Sequence, residues 1–384
     1  MTRKRFLESL AGGAIATAML FRSRNACAIS NSEKQAMESD KSAVIRVYDP
    51  EATSWNYRDQ DYLDYIHQDV VNEMFHRGIM KLAGAPDPKR AWEQIMPSYR
   101  RGDRIAIKPN FNSLHLDAAG LITCPQLIGA VVKSLVESLR VAESDIYVYD
   151  LCKRIPQSRI RARIGYRVEY VERRPDGVEG KIAARLGWGL ESADRSAPIT
   201  MSVPITDSEN DPVECYVPKV LTQCQHLINI ALLSNHPFLA ISGPLKNHFG
   251  TVRFSNYQSY PVALHGEVLQ KSIVDINMNP HIRTKTRLVM CDALFGQFGR
   301  GDTGFVEKWN TFPTDNGVPN SLFLATDPVA LESVLLHLVN REREARGLLI
   351  RGHDYLHIAA RKGLGIHEDV GNLRELENIS YETV

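Results

Sequence analysis

The 384-residue sequence predicts an α/β fold: a mostly parallel sheet with helices packed on it, plus an irregular insertion. Three observations predict it. Short β-rich runs alternate with stretches of helical periodicity along most of the chain, the pattern of strand–helix–strand units. Two runs, His226–Ser234 (HLINIALLS) and Arg287–Leu294 (RLVMCDAL), are nearly continuous in apolar residues, as expected of strands covered on both faces. Pro125–Val141 (PQLIGAVVKSLVESLRV) keeps a helical period throughout and has proline in its first turn, where a missing N–H costs nothing.

The chain opens with Thr2-Arg3-Lys4-Arg5-Phe6-Leu7, followed by an apolar stretch from Leu10 to Phe21 and by Ala26-Cys27-Ala28. A basic start, a short apolar middle and a small-x-small exit are the three parts of a secretory leader. We therefore expect residues 1–28 to be an export signal peptide and the mature protein to be periplasmic or extracellular. The mild, Gly- and Ala-rich apolar stretch after Arg3-Lys4 resembles a twin-arginine (Tat) signal whose second arginine is lysine; the Sec route stays open. Folded export by Tat often accompanies a cofactor inserted beforehand. An amphipathic first helix is the structural alternative. Residues 29–42 read as a polar linker.

From residue 43 to the end we expect a single α/β domain. Ala43–Asp49 (AVIRVYD) is a strand, and Ile66, Val70, Val71, Met74, Phe75 and Ile79 fall on one helix face. Arg104–Asn110 (RIAIKPN) is a strand ending in a turn, because Pro109 fixes its own φ and biases Lys108 away from helix. After the Pro125 helix come the strand Asp145–Asp150 (DIYVYD), the two apolar runs, and Ser321–Asp327 (SLFLATD). Pro328 then opens a helix through Val329, Leu331, Val334, Leu335 and Leu338. Residues 153–215, rich in Arg, Gly and Asp and weakly periodic, are the insertion.

Composition excludes several classes of function. Residues 1–28 hold five basic residues against Glu8, a net +4 within a chain of net +1, which leaves −3 for the rest. A weakly acidic body lacks the clustered Lys and Arg that nucleic acid requires. No run of eighteen apolar residues occurs, so no stable membrane anchor is expected after leader cleavage. The five cysteines beyond the leader (Cys124, Cys152, Cys215, Cys224, Cys291) form no C-x-x-C pair, so no iron–sulfur cluster motif is present. Cys215 and Cys224 are close enough in sequence to bridge in an oxidising compartment, although single buried cysteines are ordinary core residues.

In parallel sheets, ligands bind outside the carboxyl ends of the strands. That rule selects Lys108, Asn110 and Asn112 after one strand, Asp150 at the end of another, and His236 after a third. It also selects Asp292, ahead of the glycine-rich Gly296–Gly304 with Gly299 and Gly301, and Asp327. Between them Gly243–Gly250 (GPLKNHFG) offers Lys246, Asn247 and His248 between glycines. Lysines, carboxylates and imidazoles together can do acid–base work if burial moves their pKa values towards neutrality. We expect Lys108, Lys246, His236, His248 and Asp292 as catalytic candidates. Asn110, Asn247, Asp150, Gly299, Gly301 and Asp327 are ligand-binding candidates for a small anionic or polyhydroxylated molecule. Carboxylates and asparagines at strand ends also cap helices and fix turns, and that reading stands beside the functional one. The cofactor is unknown, with a metal ion left open. His353 and His357, four apart on a helix, could ligate one, though the Glu of a metalloprotease motif is missing and Leu356 and Ile358 supply a core face. No P-loop occurs, and no nucleotide is expected.

These segments resemble the domain-of-unknown-function 362 family. IAIKPNFN, Thr123-Cys124-Pro125 opening a helix, and Asp150 match its "IKPN", "T-x-P" and "gD" in order. His236, Lys246 and Asn247 match the next segment, with Asn235 where lysine is usual. Asp275, Pro280 and Asp292 match a third, and Asp327 a fourth in which Glu332 replaces the second acidic residue. The resemblance runs from about Arg104 to Gly365. Several relatives carry a ferredoxin-like cysteine cluster that this chain lacks, so electron transfer is not implied. The resemblance implies the fold and the site, and leaves open whether the protein turns its ligand over or, as a binding or carrier protein, only holds it.

Overall fold

A computed structural model describes residues 41–384 apart from 60, 114–119, 152–154, 173–192, 207–209, 256–263, 267, 300–304, 313–315, 353 and 370. The leader, nearly all of the linker, Cys152, Gly301 and His353 lie outside the described residues. The strands in chain order are β1 (Ser42–Tyr48), β2 (Ile105–Lys108), β3 (Ile146–Asp150), β4 (Glu169–Glu172), β5 (Ala193–Pro198), β6 (Cys215–Pro218) and β7 (His226–His236). They continue as β8 (Ala240–Ile241), β9 (Arg253–Phe254), β10 (Thr286–Phe298), β11 (Phe305–Glu307), β12 (Ser321–Ala325) and β13 (Ile379–Thr383). The longer helices are α1 (Gln68–Ala83), α2 (Pro88–Ile95), α3 (Pro125–Ser138), α4 (Leu269–Met278), α5 (Pro328–Ala345) and α6 (Asp354–Arg361).

The main sheet runs β13-β1-β12-β10-β7-β2-β3-β4. β10, β7, β2, β3 and β4 are mutually parallel, β1 and β13 are parallel to each other, and β12 is antiparallel to both its neighbours. It is therefore the mostly parallel α/β sheet expected, with β12 reversed and the short β8 and β11 pairing antiparallel to β7 and β10. Strand β7 shows why its sequence reads as an unbroken apolar run. Leu227 and Leu233 face one core cluster while Ile228, Ile230 and Leu232 face the other. α1, α2 and α3 cover the second face, and α4, α5 and α6 cover the first.

Three features were not legible in advance. The C-terminal β13 pairs with β1 and makes that edge of the sheet. Part of the insertion is regular: β4 is the opposite edge of the main sheet, and β5 and β6 join β9 in a separate three-stranded sheet. Cys215 and Cys224 do not bridge; both are buried free thiols, each pushed up to about 12 mainly by burial. Among the described residues no helix is long and apolar enough to cross a membrane.

Candidate functional site

At the carboxyl end of β2 the apolar run Ile105-Ala106-Ile107 stops at Lys108, which Pro109 prevents from continuing into a helix. The Lys108 side chain is buried and its Nζ donates to Asp150 Oδ2 at 3.2 Å and to the Pro109 carbonyl at 2.6 Å. The same Asp150 oxygen accepts from the Phe111 N–H at 3.1 Å. This joins the ends of β2 and β3 with a compensated pair of buried charges.

The short helical turn Pro244–Asn247 docks on this edge through amides. Asn247 Nδ2 donates to Asn229 Oδ1 at 2.7 Å, to the Lys108 carbonyl at 3.2 Å and to the Ile230 carbonyl at 3.3 Å. Asn229 Nδ2 returns a bond to the Pro244 carbonyl at 2.8 Å. Asn247 thus holds the turn against β2 and β7. His248 is buried beneath it, with Nδ1 3.1 Å from Thr251 Oγ1, which is 3.0 Å from the Tyr149 hydroxyl. Burial, and then the charge of Lys108, hold this imidazole down at about 3, so it is neutral at physiological pH.

Lys246, one residue earlier on the turn, is only half-buried, and its Nζ lies 5.2 Å from the Phe249 ring centre. Its charge lowers the pKa of both His236 and Glu332. His236, at the end of β7, accepts at Nδ1 from the Phe238 and Leu239 N–H groups, each at 3.3 Å. With Nδ1 an acceptor, the proton of the neutral ring sits on Nε2. Burial, then Lys246, then His265 push this imidazole down to about 2. The His265 ring stacks on it at 5.8 Å between centres.

Glu332 supports the turn from behind. Its carboxylate accepts from the Leu245 N–H at 2.6 Å and from the Tyr355 hydroxyl. It has no solvent exposure, and burial pushes it up to about 7 against the opposing pull of those two donors and Lys246. Gly243 gives it room: a Cβ there would stand 2.7 Å from the Glu332 carboxyl carbon.

The model of the family described as Domain of unknown function (DUF362) matches residues 105–337. The chain belongs to this family. No curated protein sequence matches it. The family segment begins at β2 and ends within α5, so it contains every residue of the site described above except Tyr355.

The remaining residues expected from the sequence separate into two groups. Gly299 stays near His236, since its carbonyl accepts from Asn235 Nδ2 at 3.0 Å and Asn235 Oδ1 in turn accepts from Arg343 at 3.2 Å. Asp292 and Asn110 serve the backbone. Asp292 accepts from the Cys124 N–H at 2.7 Å, just ahead of α3, and from the Leu294 N–H at 3.1 Å; burial raises its pKa. Asn110 Oδ1 accepts from the Asn112 N–H at 3.0 Å, closing the turn after β2. Asp327 follows a strand of the other direction, and it lines one pocket with Asn229 and His248. β12 runs against β10, with Val289 opposite Ala325 and Asp292 opposite Leu322, so its carboxyl end points the other way. There Asp327 caps α5 through the Val329 and Ala330 N–H groups at 2.8 and 3.0 Å.

Sequence reasoning did not name Asn229, His265 or Tyr355 as candidates at this turn, and named Glu332 only at a family motif position. Two had a signal: an asparagine inside HLINIALLS, and a glutamate on the otherwise apolar face of α5. His265 and Tyr355 had none, because only the tertiary fold brings them to the turn.

Proposed function

We propose that the protein is an exported enzyme that binds a small anionic substrate, of carboxylate or phosphate class, at the carboxyl end of β7 and performs acid–base chemistry on it. The observation that carries this reading is Lys246, a half-buried ammonium on a braced turn beside an imidazole that burial keeps neutral. In this reading the ammonium binds an anionic oxygen, and the His236 Nε2–H donates the second hydrogen bond. A neutral imidazole polarises a carbonyl or carboxylate by hydrogen bonding without surrendering a full proton. Lys108, Asp150, Asn247 and Glu332 position the turn. The leader at residues 1–28 supports export.

The test is calorimetric titration of the mature chain with inorganic phosphate and with short dicarboxylates. Lys246→Ala should abolish binding while leaving the melting temperature within about 2 °C, as for a half-buried side chain outside the core. Retained binding, or a large loss of stability in this variant, would overturn the assignment. A bound ligand recovered unchanged after long incubation would make this a binding protein without turnover.

A further inference from the structure

Away from this turn, near the capped start of α5, two imidazoles and a carboxylate converge. His357 Nε2 lies 3.6 Å and His367 Nε2 3.4 Å from Asp369 Oδ1, and one donor atom from each residue lies within 4.8 Å of the others. Two ligands about 2.0–2.1 Å from a tetrahedral zinc-like ion stand roughly 3.3–3.4 Å apart, so the two nitrogen–oxygen separations are near those of a coordination shell.

The frame around them is built. His367 has a side chain only 3% exposed, and its Nδ1 lies 2.8 Å from Ser333 Oγ, which itself donates to the Val329 carbonyl at 2.8 Å. A histidine ligand commonly engages its second nitrogen in this way, which orients the ring and sets the tautomer. The flanking residues are tied down as well. The Ile366 N–H donates to Asp327 Oδ2 at 2.8 Å, and Glu368 accepts from the Asn378 and Ile379 N–H groups at 2.9 and 3.1 Å. Gly363, at φ +68°, ends α6 and turns the chain back so that His367 meets His357. Gly365 is the point of closest approach, where a Cβ would stand 2.0 Å from Asp327 Oδ1.

We propose that His357, His367 and Asp369 form a binding site for a divalent transition-metal ion of the zinc class. Two imidazole nitrogens select against magnesium and calcium, which prefer all-oxygen shells. Three protein ligands leave a fourth position open, and the exposure of His357 (41%) and Asp369 (68%) places it towards solvent. The sequence pointed to His357 through its spacing from His353; the structure joins it to two residues beyond the helix.

The full chain, stripped with chelator, is titrated with Zn2+ by calorimetry and with Co2+ by visible absorption. We expect one equivalent bound, a cobalt d–d band, and a metal-dependent rise in melting temperature. His357→Ala and Asp369→Asn should each weaken Zn2+ at least tenfold and erase the cobalt band while leaving the metal-free melting temperature unchanged. Ser333→Ala should weaken binding by about 10- to 100-fold through loss of the orienting contact. A folded wild-type chain that takes up no metal, or one that binds it equally well in the His357 and Asp369 variants, would overturn the proposal.

Discussion

Replacing Lys108 by methionine separates a positioning lysine from a ligand-binding one. The substitution keeps the length and packing of the stem but removes the ammonium. It puts an apolar group where the ammonium stood, 3.2 Å from the Asp150 carboxylate, whose side chain is 3% exposed. Breaking a buried pair from one side costs about 3–5 kcal/mol, whereas removing both charges together is often close to neutral. Lys108→Met should therefore lose about 3–5 kcal/mol in equilibrium urea unfolding. Lys108→Met/Asp150→Asn should regain more than half of that, because asparagine keeps an oxygen for the Phe111 N–H. Additivity of the two single changes within about 0.5 kcal/mol would show that the two charges are not coupled, and the account of this edge would fail. The contrast with Lys246→Ala, expected to be silent in stability, is what divides the two lysines by role.

Two further outcomes follow from the same geometry. His236 and His248, held near 2 and 3 against an ordinary 6.5, stay neutral in the folded chain while the unfolded chain takes up protons, so stability falls as pH drops below 6.5. Glu332, raised from 4.5 to about 7, acts oppositely, costing stability as pH rises from 4.5 to 7. Glu332→Gln should thus steepen the loss of stability on acidification from pH 6.5 to 4.5 by roughly 1.4 kcal/mol per pH unit; an unchanged slope in urea melts at stepped pH would contradict it. Gly243→Ala places a methyl 2.7 Å from the Glu332 carboxyl carbon and should cost about 1–3 kcal/mol while weakening anion binding through the displaced Lys246 turn, both read in one calorimetric series.

The strands and main helices could be read from the sequence because their signals are local. β7 and β10 are apolar on both faces, and Pro125 and Pro328 each stand at the first position of a helix. β13 and β4 escaped because an edge strand buries little and so carries weak periodicity; their partners, 337 residues away in the case of β13 and β1, supply the pairing. Residue type marked Lys108, Asp150, His236, Lys246, Asn247 and His248, and the structure places them around one edge. It could not separate them, since burial and partners divide a buried lysine paired with Asp150 from a half-buried one on a turn.

By itself, then, the sequence determined the α/β class, the positions of the principal elements and the family segment around β2, β3, β7 and β10. Each depends on spacing and composition within a few turns of chain. Only the tertiary structure decided the reversed direction of β12, after which Asp327 caps α5, and the bracing of the Lys246 turn by Glu332 and Tyr355. It alone decided the meeting of His357 with His367 and Asp369. These depend on which distant segments are packed together, and on how much water that packing removes from each charge.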